Sequence, residues 1–195
     1  MSHSLVKRSW VLGIFSNPII KILEGSIFLT LLAKITLHLP FTPVPVTFQT
    51  LGIYCIGVVA SPMIAVGSVV AYLLEGLFLP VFYSSGYGIA AFFGPTAGYL
   101  YAFPIAAALI SVLYRHFKES TYALAVILTA AAALITTCGS IWLACYLYLT
   151  SVTSTLDIVT GFKLGAAPFV IGETLKILLV IHGRTAGEFF KKRYF

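Results

Sequence analysis

The chain reads as a succession of apolar runs, broken by short stretches that carry proline, glycine or polar residues. A transmembrane helix takes roughly 20 apolar residues, which sets the ruler for these runs. The first extends from about Leu23 to Leu39 and stops at Pro40. The second covers about Phe48 to Ala60, and Ser61-Pro62 then turns the chain into a third, from about Met63 to Leu79. The fourth takes about Ile89 to Leu113 and contains Gly94-Pro95. The fifth, about Tyr122 to Leu149, exceeds one crossing, so it tilts or bends near Thr136-Thr137 and Gly139-Ser140. A hydrophilic connection from Thr150 to Lys163 leads to the sixth, about Ala166 to Ile181. The pattern predicts an all-α, polytopic membrane fold with about six transmembrane helices.

Ahead of the first run, Lys7 and Arg8 precede a short apolar stretch, Trp10 to Phe15. It has the look of a signal peptide, but Asn17-Pro18 interrupts it and no A-x-A site follows. An interfacial segment anchored by Trp10 is the expectation. Residues 1–22 are thus expected to be cytoplasmic or interfacial, 23–183 to form the membrane domain, and 184–195 to be a basic cytoplasmic tail.

Composition agrees with a lipid solvent. Of the residues, 59% are hydrophobic and 9% charged, against about 25% charged in soluble domains. Mean hydropathy is +1.01. The net charge of +6 would suggest an acidic partner until its placement is read. Lys7, Arg8, Arg115, Lys118, Arg184, Lys191, Lys192 and Arg193 all fall between or beyond apolar runs, and alternating crossings bring them to one side. That side is expected to be cytoplasmic, with both termini on it. Basic residues interleaved with stacking aromatics, as nucleic-acid binding requires, are absent from the sequence. Cys55, Cys138 and Cys145 are widely spaced in apolar runs and form no CxxC pair, so they read as packing residues. The four histidines are scattered without metal-ligand spacing.

The informative residues collect at the predicted outer end. Pro40 to Gln49 contains Pro43 and Pro45, which forbid helix and press their predecessors into extended geometry. A stiff lid is expected there, with Thr47 and Gln49 as hydrogen-bonding groups beneath it; a plain rigid connector is the alternative. Phe82, Tyr83, Ser84, Ser85, Tyr87 and Tyr99 lie in glycine-rich stretches that suit the aromatic and polar walls of a small cavity. Within Pro168 to Lys176, Glu173 and Lys176 stand three apart, on one helical face. Each charge in a membrane costs roughly 2.5–3.5 kcal/mol on insertion scales, so such residues face a cavity or each other. A ligand role and a self-contained packing pair both satisfy that constraint. Lys34 and Glu75 lie at similar depth, roughly 8 Å below the outer boundary by helix rise; pairing with each other across the first and third runs is the expectation, and a ligand role is the alternative.

The ordered elements Pro40 to Gln49, Leu79-Pro80-Val81-Phe82, Gly94-Pro95-Thr96-Ala97-Gly98-Tyr99-Leu100 and Pro168 to Lys176 resemble the BioY family. Its members are the biotin-specific substrate-binding (S) components of energy-coupling-factor transporters. The resemblance runs from about Leu23 to Lys176 and implies six membrane helices with a biotin site near the outer face. It also implies a transmembrane coupling subunit and two ATP-binding subunits as partners, in a bacterial cytoplasmic (inner) membrane. No cofactor is implied for this chain, which contains no GxxxxGK[ST] phosphate loop; ATP is used by the partner subunits alone. The small residues Ser26, Thr30 and Ala33 stand where the family's first helix meets the coupling subunit. Departures from the family pattern are Glu173 for the usual Asp, Ala97 for the usual Gly, and Glu75 at a customarily apolar position.

Biotin's chemistry matches these residues. Glu173 can accept from ureido N–H groups, Lys176 can neutralise the valerate, and Phe82, Tyr83, Tyr87 and Tyr99 can line the walls around the bicycle. Nanomolar affinity over roughly 16 non-hydrogen atoms is about −0.8 kcal/mol per atom, which requires a nearly enclosed ligand. Two other readings stand beside it. One is a transport component of the same architecture for another small vitamin. The other is a small intramembrane enzyme, which needs a nucleophile and base at one depth, a grouping that the sequence does not offer.

Overall fold

In a computed structural model of the chain, residues 17–83, 88–117 and 120–194 are described, with side chains to residue 184. The expected interfacial segment around Trp10 therefore lies outside the described residues. Helix α1 (Pro18–Ala33) leads through the short strands β1 (Thr36–Leu37) and β2 (Val46–Thr47) to α2 (Gln49–Val59) and α3 (Pro62–Glu75). A 3-10 turn (Ile89–Phe92) precedes α4 (Ala97–His116), which is followed by α5 (Thr121–Leu149) and α6 (Ile158–Gly165). A second 3-10 turn (Ala167–Phe169) opens onto α7 (Val170–Tyr194).

Local chemistry explains most of the boundaries. Asn17 and Ser61 are N-caps, accepting from the N–H of Ile19 and Ile64, and each is followed by a proline at the first helical position. Asn17-Pro18 thus starts α1, and the helix begins five residues ahead of the expected Leu23. The connection expected from Thr150 to Lys163 holds α6, because Asp157 caps its N-terminus through Thr160. The Thr160 hydroxyl and N–H hold the Asp157 carboxyl below its ordinary value. Helix α5 runs unbroken through Thr136-Thr137 and Gly139-Ser140.

Among the described residues, three segments are long and apolar enough to cross a membrane by themselves: α4, α5, and the stretch Ile158–Arg184 that joins α6 to α7. Helices α2 and α3 have 11 and 14 residues, about 17 and 21 Å at the α-helical rise. Their ends are extended by the β1–β2 pairing and the segment after Glu75. Large apolar side chains such as Ile19, Leu31, Met63, Phe78 and Ile105 stand outward and exposed, the surface expected where lipid is the solvent. Buried alanines thin the facing sides of α4 and α5, and Gly139 lies so close under the Tyr99 ring that any Cβ there would clash. The result is an all-α, multi-pass membrane protein of about six transmembrane helices.

Two sequence expectations fail here. Ser26 and Ala33 do not face outward: both are fully buried against the rest of the bundle, and Thr30 is half-buried. The Ser26 hydroxyl donates to the Glu75 carboxylate of α3, and neighbouring Gly25 meets Ser68 where a side chain would stand. The small residues of α1 are consumed by packing inside this chain, so no partner-facing role is left for Ser26 or Ala33. Lys34 and Glu75 do not pair either. Glu75 takes the Ser26 hydroxyl, and Lys34 donates to the carbonyls of Pro80 and Phe82.

Ser26→Phe should therefore destabilise the chain by about 1–3 kcal/mol or more, the usual range for overpacking. Ile27→Phe, on the exposed side of α1, should be near neutral. Thermal unfolding of the two variants in detergent separates them, and equal midpoints would contradict the inward assignment of Ser26.

Candidate functional site

At one end of the bundle α1 and α3 finish and α2, α4 and α7 begin, opposite the end that holds the Ser61 turn and Arg115. There the chain encloses a cavity of about 280 Å³, close to the lower limit of about 300 Å³ for small-molecule sites. Its roof is the proline-bearing segment. Thr36 pairs with Thr47 and Leu37 with Val46, so the stretch between is a closed loop. Thr42 donates to the Leu164 carbonyl at 2.8 Å, tying that loop to the end of α6, and buried Val44 faces the cavity with Pro45.

Where β2 enters α2, Thr47 donates to the Gln49 side-chain oxygen at 2.8 Å, and the Gln49 amide donates to the Tyr72 hydroxyl at 2.6 Å. One turn on, Thr50 and Tyr54 share a face of α2 and meet Glu173 and Lys176 of α7. Glu173 Oε1 accepts from the Thr50 hydroxyl at 2.8 Å and from Lys176 Nζ at 2.7 Å. Glu173 Oε2 accepts from the Tyr54 hydroxyl at 2.5 Å, and Lys176 Nζ donates a second bond to Thr50 Oγ1 at 2.8 Å. Glu173 is 7% exposed and Lys176 4%, so both charges are matched inside the protein, as burial demands.

This cluster keeps capacity in reserve. An ammonium has three donors and two of Lys176's are committed; a carboxylate has about four acceptor sites and three of Glu173's are used. An anionic or acceptor group of a ligand can take the remaining Lys176 donor, and a ligand N–H can reach the remaining Glu173 lone pair. The N-termini of α2, α4 and α7 end at the same cavity, and their partial positive charge adds to that of Lys176.

Aromatic rings close the sides. Phe82 packs edge-on against Tyr72 at 5.4 Å, and Tyr99 lies 6.2 Å from Phe169 while its hydroxyl donates to the Gly165 carbonyl at 2.6 Å. Tyr83 lines the cavity beside Phe82 and stacks obliquely with His38 at 6.0 Å. Among the described residues, no three of His, Cys, Asp or Glu group as metal ligands.

Seven of the expected site residues thus come together around the cavity: Thr47, Gln49, Phe82, Tyr83, Tyr99, Glu173 and Lys176. Ser84, Ser85 and Tyr87 lie outside the described residues. Sequence reasoning missed Thr50, Tyr54, Tyr72, Thr96 and Phe169. The spacing of Thr50 and Tyr54 was a usable signal, since both fall on the face that begins with the expected Gln49 turn. Tyr72 offered none, because its partner comes from another helix.

The fold and the cavity define the class: a small polytopic membrane protein built around a ligand-sized chamber, apolar in its walls and polar at one buried ion pair. The crystal structure at 2.1 Å of the S-component for biotin from an ECF-type ABC transporter has the same fold. It matches with a TM-score of 0.70 and 22% identity, over 93% of this chain and 90% of that one. The chain belongs to the BioY family, whose sequence profile matches residues 6–187. Relatives include the biotin transporter BioY2 of Lactococcus lactis subsp. cremoris (strain MG1363), 35% identical over 74% of this chain and 76% of its own length. A second protein of that strain, the biotin transporter BioY, is 29% identical over 85% of this chain and 89% of its own length.

Removing one partner of a buried pair strands the other, typically at a cost of about 3–5 kcal/mol. Lys176→Met should lower the thermal midpoint of the ligand-free chain, and adding Glu173→Gln should recover much of the loss. Additive losses in that double-mutant cycle would mean that the two charges do not depend on each other.

Proposed function

We propose that this chain is a biotin-uptake protein, not an enzyme, that holds biotin in the cavity at the head of α7. The valerate meets the spare donor of Lys176, the ureido ring meets Glu173 with Thr47 and Gln49 nearby, and the bicycle lies among Phe82, Tyr83, Tyr99 and Phe169. The observation that carries this reading is the buried Glu173–Lys176 pair inside an aromatic-walled cavity of small-molecule size. The biotin named for the relatives supports the same ligand.

Delivery into the cell uses an ATP-driven module of one transmembrane coupling subunit and two ATP-binding subunits; the S-component of an ECF-type ABC transporter that shares this fold supports that reading, and this sequence carries no phosphate-binding loop of its own. The protein sits in a bacterial cytoplasmic membrane with both termini inside. The basic residues grouped at the Arg115 end and the tail support that orientation, which opens the cavity end to the outside. In this arrangement the coupling subunit docks on surfaces of α1 other than the buried Ser26 and Ala33.

Lys176→Met tests the assignment. It should weaken biotin by about 2–5 kcal/mol, tens- to thousands-fold, because the valerate then enters a low-dielectric cavity without a counter-ion. Neutral biotin amide should lose far less, while Glu173→Gln should weaken acid and amide alike. Competition binding to purified variants measures both ligands, and an unchanged acid-to-amide ratio in Lys176→Met would remove Lys176 from the carboxylate.

A further inference from the structure

Lys34 is the C-cap residue of α1, and no α1 side chain lines the cavity. Among the described residues the one ion pair is Glu173–Lys176, so the Lys34 ammonium has no carboxylate partner. It is committed to main chain instead: Nζ donates to the Pro80 carbonyl at 2.5 Å and to the Phe82 carbonyl at 2.7 Å. Those two carbonyls flank Val81 in the non-helical segment after α3, and the next two side chains, Phe82 and Tyr83, form one wall of the cavity.

Val81 and Phe82 are buried, and the Phe82 ring lies against Gly76, so the side chains of this segment are held by packing; its backbone has fewer ties among the described residues. Val81 N–H donates to the Leu79 carbonyl at 2.8 Å, a bond within the segment itself, and the Tyr72 hydroxyl reaches the Val81 carbonyl only at 3.5 Å. Ring contacts among the described residues add Phe82 on Tyr72 and on Phe92, and Tyr83 on His38. Irregular backbone at membrane depth needs its carbonyls satisfied, and charge-assisted bonds are about twice as strong as neutral ones. Two such bonds from one side chain tie the backbone of this wall to the end of α1.

We infer that Lys34 is a positioning residue: it latches the Pro80–Phe82 backbone to the end of α1, keeps the Phe82–Tyr83 wall closed over the ligand, and so sets the rate at which ligand leaves. A wall that must swing out for release gates dissociation. Association is limited by encounter and is less affected, as is usual when affinity is tuned within one site. The inference takes its ligand from the biotin reading above; the latch itself rests on Lys34 and its two carbonyls.

The test uses the full chain in detergent, with two readouts. Biotin release should be about tenfold faster in Lys34→Met, with association changed by less than about twofold. In the ligand-free protein, amide exchange at Val81, Phe82 and Tyr83 should rise selectively. Lys34→Arg, which keeps a charged donor, should restore both. Unchanged release, or faster exchange spread evenly over all helices, would overturn the latch. If Lys34→Met does not yield folded protein, Lys34→Gln carries the same two measurements. The exchange readout needs no ligand, so a wild-type chain that fails to bind biotin would sink the biotin reading alone and leave the latch to be judged by exchange.

Discussion

One buried ion pair constrains the rest of this molecule. Glu173 and Lys176 sit on one face of α7, and neither charge is tolerable in a membrane interior without partners. Their mutual contact satisfies only part of each group. Thr50 and Tyr54 supply the rest, which obliges α2 to lie against α7 in one register. A shift of α2 by one residue would carry its face around by about 100° and strand both charges. That register in turn sets Gln49 and Thr47 at the cavity and leads the proline-bearing loop across its top.

The two halves of the structure divide the work. Toward the Arg115 end, buried alanines thin α4 and α5, Gly57 of α2 lies close under Ile110 of α4, and Arg184 stacks over the Tyr114 ring at 5.5 Å, holding α7 to α4. At the other end the helices stop short, and loops, 3-10 turns and a two-residue strand pair take over. Irregular backbone is what makes a chamber possible there, because it leaves space that regular helices would fill. Its polar groups are satisfied by side chains from neighbouring elements: Trp142 donates to the Gly94 carbonyl, Thr42 to Leu164, and Lys34 to Pro80 and Phe82.

Much of this was legible in the sequence where a residue's cost is local. An in-membrane Glu and Lys three apart must find partners, and Pro43 and Pro45 must break helix, whatever surrounds them. Pairings between helices were not legible, because depth and spacing do not name a partner. Lys34 and Glu75 matched in depth, yet each found nearer groups, in backbone carbonyls and in Ser26. Ser26 and Ala33 had the small size that close packing needs, but size does not say whether the neighbour is α3 or another protein. Tyr54 sat unremarked in an apolar run, since its hydroxyl acquires meaning only once α7 lies opposite. Asn17-Pro18 is different: an N-cap followed by proline is a readable helix start, and it was within reach of the sequence.

The central claim is that the chamber above the Glu173–Lys176 pair is a biotin site complete within this one chain. Isothermal titration of biotin into the purified wild-type protein, with no other subunit present, tests it most directly. The account predicts saturable binding at one biotin per chain, with a dissociation constant in the nanomolar range, about −12 kcal/mol. Absence of saturable binding at micromolar biotin, from protein that remains folded, would contradict it.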